Sequence, residues 1–113
     1  MLKQANRLRR RQDFRRIYQR GKALKCHAFV LYFRPAAKGA VRIGFSVSKK
    51  LGKAVERNRV RRKLREAVRL ELAALPSGYD YVLIARLGAK DETVESFRRQ
   101  INKLLKGAGI SPR

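Results

Sequence analysis

The sequence predicts an α+β domain, a mixed sheet backed by helices in the order α-β-β-α-β-α. Three observations predict it. Residues 40–48 alternate apolar with small or polar side chains, as a half-exposed strand does. Residues 55–75 repeat apolar side chains at intervals of three and four, the rhythm of a helix with one buried face. The length, 113 residues, suits one domain with one small core. Residues 1–113 are read as that single domain, with 1–8 and 107–113 as flexible tails.

Each element follows from a local signal. Phe14, Ile17 and Tyr18 stand at i, i+3 and i+4, and Gly21 falls where a helix stop belongs. Arg9, Arg10, Arg11, Arg15, Arg16 and Arg20 point away from that stripe. The aromatic pair has two readings: anchors of the core, or a platform for unpaired bases beside basic groups. Residues 26–34 are a run of β-formers ended by Pro35, with Phe29, Leu31 and Phe33 on one face and Ala28, Val30, Tyr32 and Arg34 on the other. Residues 35–39 read as a turn. In the next strand Val41, Ile43, Phe45 and Val47 form the apolar side. Arg42, Gly44, Ser46 and Ser48 form a small, polar side that is open to solvent or to a ligand.

A loop over 49–53 leads into the long helix, which Pro76 and Gly78 stop. Val60, Leu64, Ala67, Val68, Leu72 and Leu75 make its apolar stripe, while Asn58, Arg61, Arg62, Arg65 and Arg69 share a neighbouring arc of ~100°. Residues 79–86 form a third strand centred on Val82, Leu83 and Ile84. The final helix has Asp91 or Thr93 as its cap, Glu92 and Glu95 near its positive end, and Val94, Phe97, Ile101, Leu104 and Leu105 as its core side.

Charge points to the partner. Thirty basic side chains against eight acidic ones leave +22, and the hydrophobic share of 44% is that of a folded domain rather than a disordered basic tail. Such a chain repels itself until a polyanion neutralises it, and nucleic acid is the commonest one. Arg outnumbers Lys by 19 to 11, which favours bidentate phosphate contacts. The charge is also clustered: residues 1–25 hold ten basic groups and one acid, and residues 49–69 hold ten and two. Crowding Arg on one helical arc is unfavourable in an isolated helix, so a bound anion must compensate. The open sheet face with aromatics nearby suits single strands, whereas no helix-turn-helix spacing is present.

Groups for enzymatic chemistry are few. His27 is the only histidine, without an acidic neighbour in sequence, and Cys26 is the only cysteine. Cys26 reads as a packed thiol, and one cysteine makes no internal disulfide, which fits a reducing compartment. The carboxylates form no D-x-D pair for two metals. No catalytic residue, protein-bound metal or small-molecule substrate is expected. No apolar run approaches the ~18 residues of a membrane span, and the first residues lack a secretory pattern. A cytoplasmic protein without membrane partners is expected.

Residues 45–66 resemble the protein subunit of bacterial ribonuclease P. The core of the likeness is Arg57-Asn58-Arg59 with the basic residues after it. It continues at Asn6, Arg7, Leu8, Asp13, Phe14 and Gly21, along 29–32 and along 80–86, in order over nearly the whole chain. The resemblance implies a ribonucleoprotein that removes the leader from precursor tRNA. Its RNA subunit is then the catalyst and binds most of the Mg²⁺; the protein assists as accessory subunit. The partners implied are that catalytic RNA and precursor tRNA. A cleft between first helix and sheet would take the single-stranded leader, at Phe14, Tyr18 and Tyr32. The signature helix would lie on the catalytic RNA through Arg57, Asn58, Arg59, Arg61, Arg62, Arg65 and Arg69, with Lys49, Lys50 and Lys53 in the loop before it. The fold implied is that of ribosomal protein S5 domain 2, with a left-handed β-α-β crossover, against the usual right-handed rule. Tyr18 stands where the family often has Phe. Two other classes remain on the residues alone: a small basic ribosomal or other structural RNA-binding protein, and a protein-only nuclease.

Overall fold

Alternation of buried and half-buried side chains builds the centre of the sheet. The computed structural model describes residues 11–35, 41–76 and 78–108. Its elements are helix α1 (Arg11–Arg20), strands β1 (Lys22–Lys25), β2 (Phe29–Pro35) and β3 (Arg42–Ser46), helix α2 (Ala54–Glu71), strand β4 (Tyr79–Ala85) and helix α3 (Val94–Ala108). The strand order is β1-β2-β4-β3, antiparallel except for the parallel β3–β4 pair. The predicted α+β class holds, and α2 makes the β-α-β connection between those parallel neighbours.

The sheet buries its two faces unequally. Phe29, Leu31 and Phe33 of β2, Ile43 of β3 and Tyr81 and Leu83 of β4 point into the main core. Val60, Leu64, Ala67 and Val68 of α2 and Phe97, Ile101 and Leu105 of α3 close over them. Fully burying such a side chain stabilises the fold by roughly 1.5–3 kcal/mol. Among the described residues, only α1 packs on the opposite face, through Ile17 against Val82. This asymmetry leaves part of that face available.

Several boundaries differ from expectation. Strand β1 went unread because Lys22-Ala23-Leu24-Lys25 holds a single large apolar residue and is mostly exposed. It turns the order into α-β-β-β-α-β-α. Residues 26–28, expected as strand, instead turn the chain between β1 and β2, where the Cys26 N–H donates to the Phe29 carbonyl at 2.9 Å. Helix α2 ends at Glu71 and tightens into a 3₁₀ turn at Leu72–Ala74. Thr93, not Asp91, caps α3: its hydroxyl accepts from the Ser96 N–H at 3.1 Å. Gly107 and Ala108 belong to α3 rather than to a tail. The expected tails at 1–8 and 109–113, and most of the expected turn at 35–39, lie outside the described residues.

Gly21 does more than end α1. Its N–H donates to the Ile17 carbonyl, and a β-carbon there would stand 2.4 Å from that oxygen and 2.7 Å from the Phe33 carbonyl. Only glycine lets α1 leave the sheet directly into β1.

One partly buried ion pair ties α2 to α3. Arg98 Nε donates to Glu71 Oε1 at 2.7 Å, and Asn102 is a second partner. The hydrogen bond from Arg98 holds the Glu71 carboxyl below the usual carboxylate range, against the opposing effect of burial. A carboxylate whose pKa is lower folded than unfolded adds stability above its unfolded value, and loses it as pH falls through the folded one. The urea midpoint of the native chain should therefore drop as pH falls below about 4.3. Glu71→Gln should be less stable at neutral pH and should lose less over that acid window. Parallel pH profiles for the two proteins would contradict this role.

Candidate nucleic-acid interface

Helix α1 crosses the open sheet face with Ile17 as its anchor. Around Ile17 and Val82 lie Phe14, Tyr32 and Ile84, each only partly buried. The Tyr18 ring sits 5.2 Å from Tyr32 and 6.3 Å from Phe14, both edge-to-face. Tyr18 remains 40% exposed, so the cluster presents ring surface to solvent instead of closing into a core. Of the two readings of the aromatic pair, Ile17 fills the anchoring role and Tyr18 the accessible one. The Ser46 hydroxyl lies within hydrogen-bonding reach of the Tyr18 phenol, whose pKa partial burial pushes up.

Register explains why the face stays open. Gly44 stands beside Val82 and Ser46 beside Ile84 in the parallel pair, while Tyr32 and Val30 stand opposite the same β4 residues. The β3 side of this face therefore carries Arg42, Gly44 and Ser46, the small and polar set that alternation predicts. Arg42 is held at one end by a bidentate contact to buried Asp80, at 2.9 and 2.6 Å. Sequence reasoning did not foresee this pair. Nor did it foresee Ser46 as a partner of Tyr18, although a hydroxyl on the small, polar side of that strand was its signal.

The cationic segment begins three residues beyond β3, at Lys49. Ser48 caps a 3₁₀ turn over Lys49–Leu51 by accepting from the Lys50 N–H at 3.1 Å. Leu51 is buried beneath it, which leaves Lys49 and Lys50 outward and exposed. Gly52 follows at φ +128°, a value that disfavours other residues, and Lys53 then occupies the exposed N-cap of α2.

Along α2 the predicted cations fall into different settings. Asn58, Arg59, Arg62 and Arg69 are exposed, and Arg61 is half-buried. Asn58 accepts from Arg61 Nη1 at 2.8 Å, which fixes that guanidinium. Arg65 leans over the Phe45 ring at 5.9 Å. Arg69 is paired with Glu66 on the same helix, with Nε to Oε2 at 3.1 Å. Arg57 sits toward the core margin, and its Nε is buried without a hydrogen-bond partner. The members of the predicted arc are not equally available: Arg62 is its freely exposed guanidinium, and Arg59, which lies outside the arc, is exposed beside it.

Phe14, Tyr18 and Tyr32 thus come together, and the lysine loop begins three residues after Ser46. The Cys26 thiol donates to the Phe29 carbonyl at 3.4 Å, and burial pushes its pKa up, which keeps it a thiol. The backbone carbonyl and ring of His27 crowd the site where Gly88 would carry a β-carbon. Among the described residues no group of three His, Cys, Asp or Glu side chains converges to hold a metal, and no helix is long and apolar enough to cross a membrane.

Comparison with known proteins gives one consistent answer. A sequence model of the family Ribonuclease P matches residues 2–109. The ribonuclease P protein component of Clostridioides difficile (strain 630) is 42% identical over 105 residues, 92% of each chain. That of Pelotomaculum thermopropionicum is 42% identical over 104 residues, 92% of this chain and 93% of the other. Among solved structures, a Staphylococcus aureus RNase P protein superposes with a TM-score of 0.80 at 36% identity, covering 93% of this chain and 96% of that one. The RNase P protein of Thermotoga maritima gives 0.80 at 35% identity, covering 89% and 96%.

Proposed function

The chain belongs to the ribonuclease P protein family, the protein component of an endoribonuclease that matures tRNA, and on that premise we propose how its surfaces divide the work. The aromatic cleft of Phe14, Tyr18 and Tyr32 takes the single-stranded leader of precursor tRNA. Lys49, Lys50, Lys53 and the α2 residues Arg57, Asn58, Arg59, Arg61, Arg62, Arg65 and Arg69 face the catalytic RNA. The observation that carries this reading is the half-exposed ring cluster, joined through Ser46 to a lysine turn and a basic helix. The protein works in the cytoplasm beside its RNA.

The mechanism is electrostatic and geometric. Where leader, tRNA body and catalytic RNA converge, their phosphates repel one another, and guanidinium and ammonium groups offset that repulsion. Ring surface holds leader bases without regard to their identity, because every base has a π-face. Precursor is then bound more tightly than mature tRNA, which lacks a leader. Mg²⁺ belongs to the RNA subunit in this reading; the described residues of this chain do not assemble a set of ligands for it. The protein lowers the Mg²⁺ demand of its partner by supplying positive charge.

The test is precursor-tRNA cleavage at low Mg²⁺ with protein alone, with catalytic RNA alone, and with both. Cleavage should depend on the combination. Protein that cuts unaided, or a ribozyme whose turnover is the same with and without it, would overturn the reading.

A further inference from the structure

The outward face of α1 carries a cationic feature that the division above leaves unused. Gln12, Arg15, Arg16, Gln19 and Arg20 turn away from Ile17 and, with Arg34 of β2, line a groove of ≈ 510 Å³. Arg15, Arg16 and Arg20 are exposed and Arg34 is half-buried. Among the described residues, the ion pairs formed include none of these four guanidiniums. Asp80 stands opposite Arg34 in register, but both its oxygens are engaged by Arg42. Four guanidiniums without an ion-pair partner among the described residues, around one groove and flanked by two amides that can donate, match the chemistry of phosphate oxygens.

Position says which phosphates. Ser46 and Ile84 mark the end of the open face next to the lysine turn, whereas Arg34, Asp80 and Arg42 mark the other end. The open face therefore runs from the lysine turn, past Tyr32, to Arg34, which it shares with the arginine groove on the other side of α1. The stretch of β4 between those ends measures about 13 Å, the rise of about four stacked nucleotides. A strand that leaves a cleft only a few rings wide is unpaired, and its phosphates are the anions delivered at this end.

We propose that the groove of Arg15, Arg16, Arg20 and Arg34 binds the phosphates of the leader beyond about the fourth nucleotide from the cleavage site, so that α1 reads bases on one side and leader length on the other. This rests on the aromatic cleft holding the nearer part of the leader.

The experiment uses holoenzyme reconstituted with catalytic RNA and the triple variant R15Q/R16Q/R20Q, which keeps good helix formers in α1. Affinity is measured for precursor tRNAs carrying a leader of about four nucleotides or about twelve, between 50 and 200 mM salt. Both proteins should bind the short-leader precursor alike. Native protein should gain affinity with the long leader, and the variant should lose that gain. Three lost single-strand contacts remove about two units of salt slope, so over this range the native complex should weaken roughly 20-fold more than the variant. R15K/R16K/R20K should restore the gain. A variant that keeps the full long-leader gain overturns the proposal. So does one that weakens both leaders equally, which would assign the groove to another RNA segment. Failure of the underlying cleft reading looks different: native protein would then show no preference for the short-leader precursor over mature tRNA.

Discussion

Replacing Arg59 and Arg62 together by Ala should weaken binding to the catalytic RNA and flatten its salt dependence by about two units, one for each lost phosphate contact. These two are chosen over other basic residues of α2 on structural grounds. Arg65 packs on Phe45 and Arg57 reaches into the core margin, so truncating either mixes packing loss with charge loss. Arg61 is braced by Asn58. Arg59 and Arg62 are exposed, one helical turn apart, and absent from the ion pairs among the described residues. Over a fourfold rise in salt the native complex should weaken roughly 15-fold more than the double variant. Folding should move the other way. Ala is the better helix former, and removing two like charges relieves repulsion, so the urea midpoint should hold or rise. Filter-binding titrations at several salt concentrations, with unfolding curves on the same preparations, check both halves. An unchanged slope would show that this face does not meet phosphate. A reduced slope accompanied by lost stability would assign the effect to folding.

What was legible in the sequence follows from where periodicity and burial coincide. Helix α2 has a stripe of Val60, Leu64, Ala67 and Val68 on one side and Arg on the other, so both its existence and its two faces could be read. Strands β2 and β3 alternate cleanly, which set Tyr32 apart from Phe29, Leu31 and Phe33 and put Ser46 on the open face. Strand β1 was illegible because its residues pair through backbone alone at a sheet edge, and only Leu24 packs inward. The ion pairs escaped for a related reason. Arg42 and Asp80 lie 38 residues apart and meet only through the parallel β3–β4 register, a tertiary fact without local trace. The same holds for Arg98 and Glu71. Charge counting treated every Arg of α2 alike, and only the fold separates the paired Arg69 and the stacked Arg65 from Arg59 and Arg62. Arg34 shows the limit most clearly: one arginine at a strand end becomes part of a groove only because α1 crosses above it.

The largest effect on substrate choice should come from Tyr18→Ala, with a loss of roughly 1–3 kcal/mol in affinity for precursor tRNA, or roughly 5- to 150-fold. Binding of mature tRNA, which offers no leader, should not change. Tyr18 isolates the stacking contribution better than Phe14 does. Phe14 is partly buried around the Ile17–Val82 contact, so its removal opens space beneath α1 as well as deleting a ring. Tyr18 reaches outward, with Tyr32 and Phe14 against its edges, and its loss leaves Ile17 anchored. Tyr18→Phe separates ring from hydroxyl: it preserves the π-face and removes the partner of Ser46. If the ring carries the leader, Phe should bind within about twofold of native, since a solvent-exposed hydrogen bond contributes little. Competition between precursor and mature tRNA for holoenzyme, measured for all three proteins, decides the matter. Equal weakening of both RNAs by Ala would place Tyr18 in the fold rather than on the leader. A Phe variant as weak as Ala would move the recognition from the ring to the Tyr18–Ser46 hydroxyl pair, and the cleft would then act by hydrogen bonding instead of stacking.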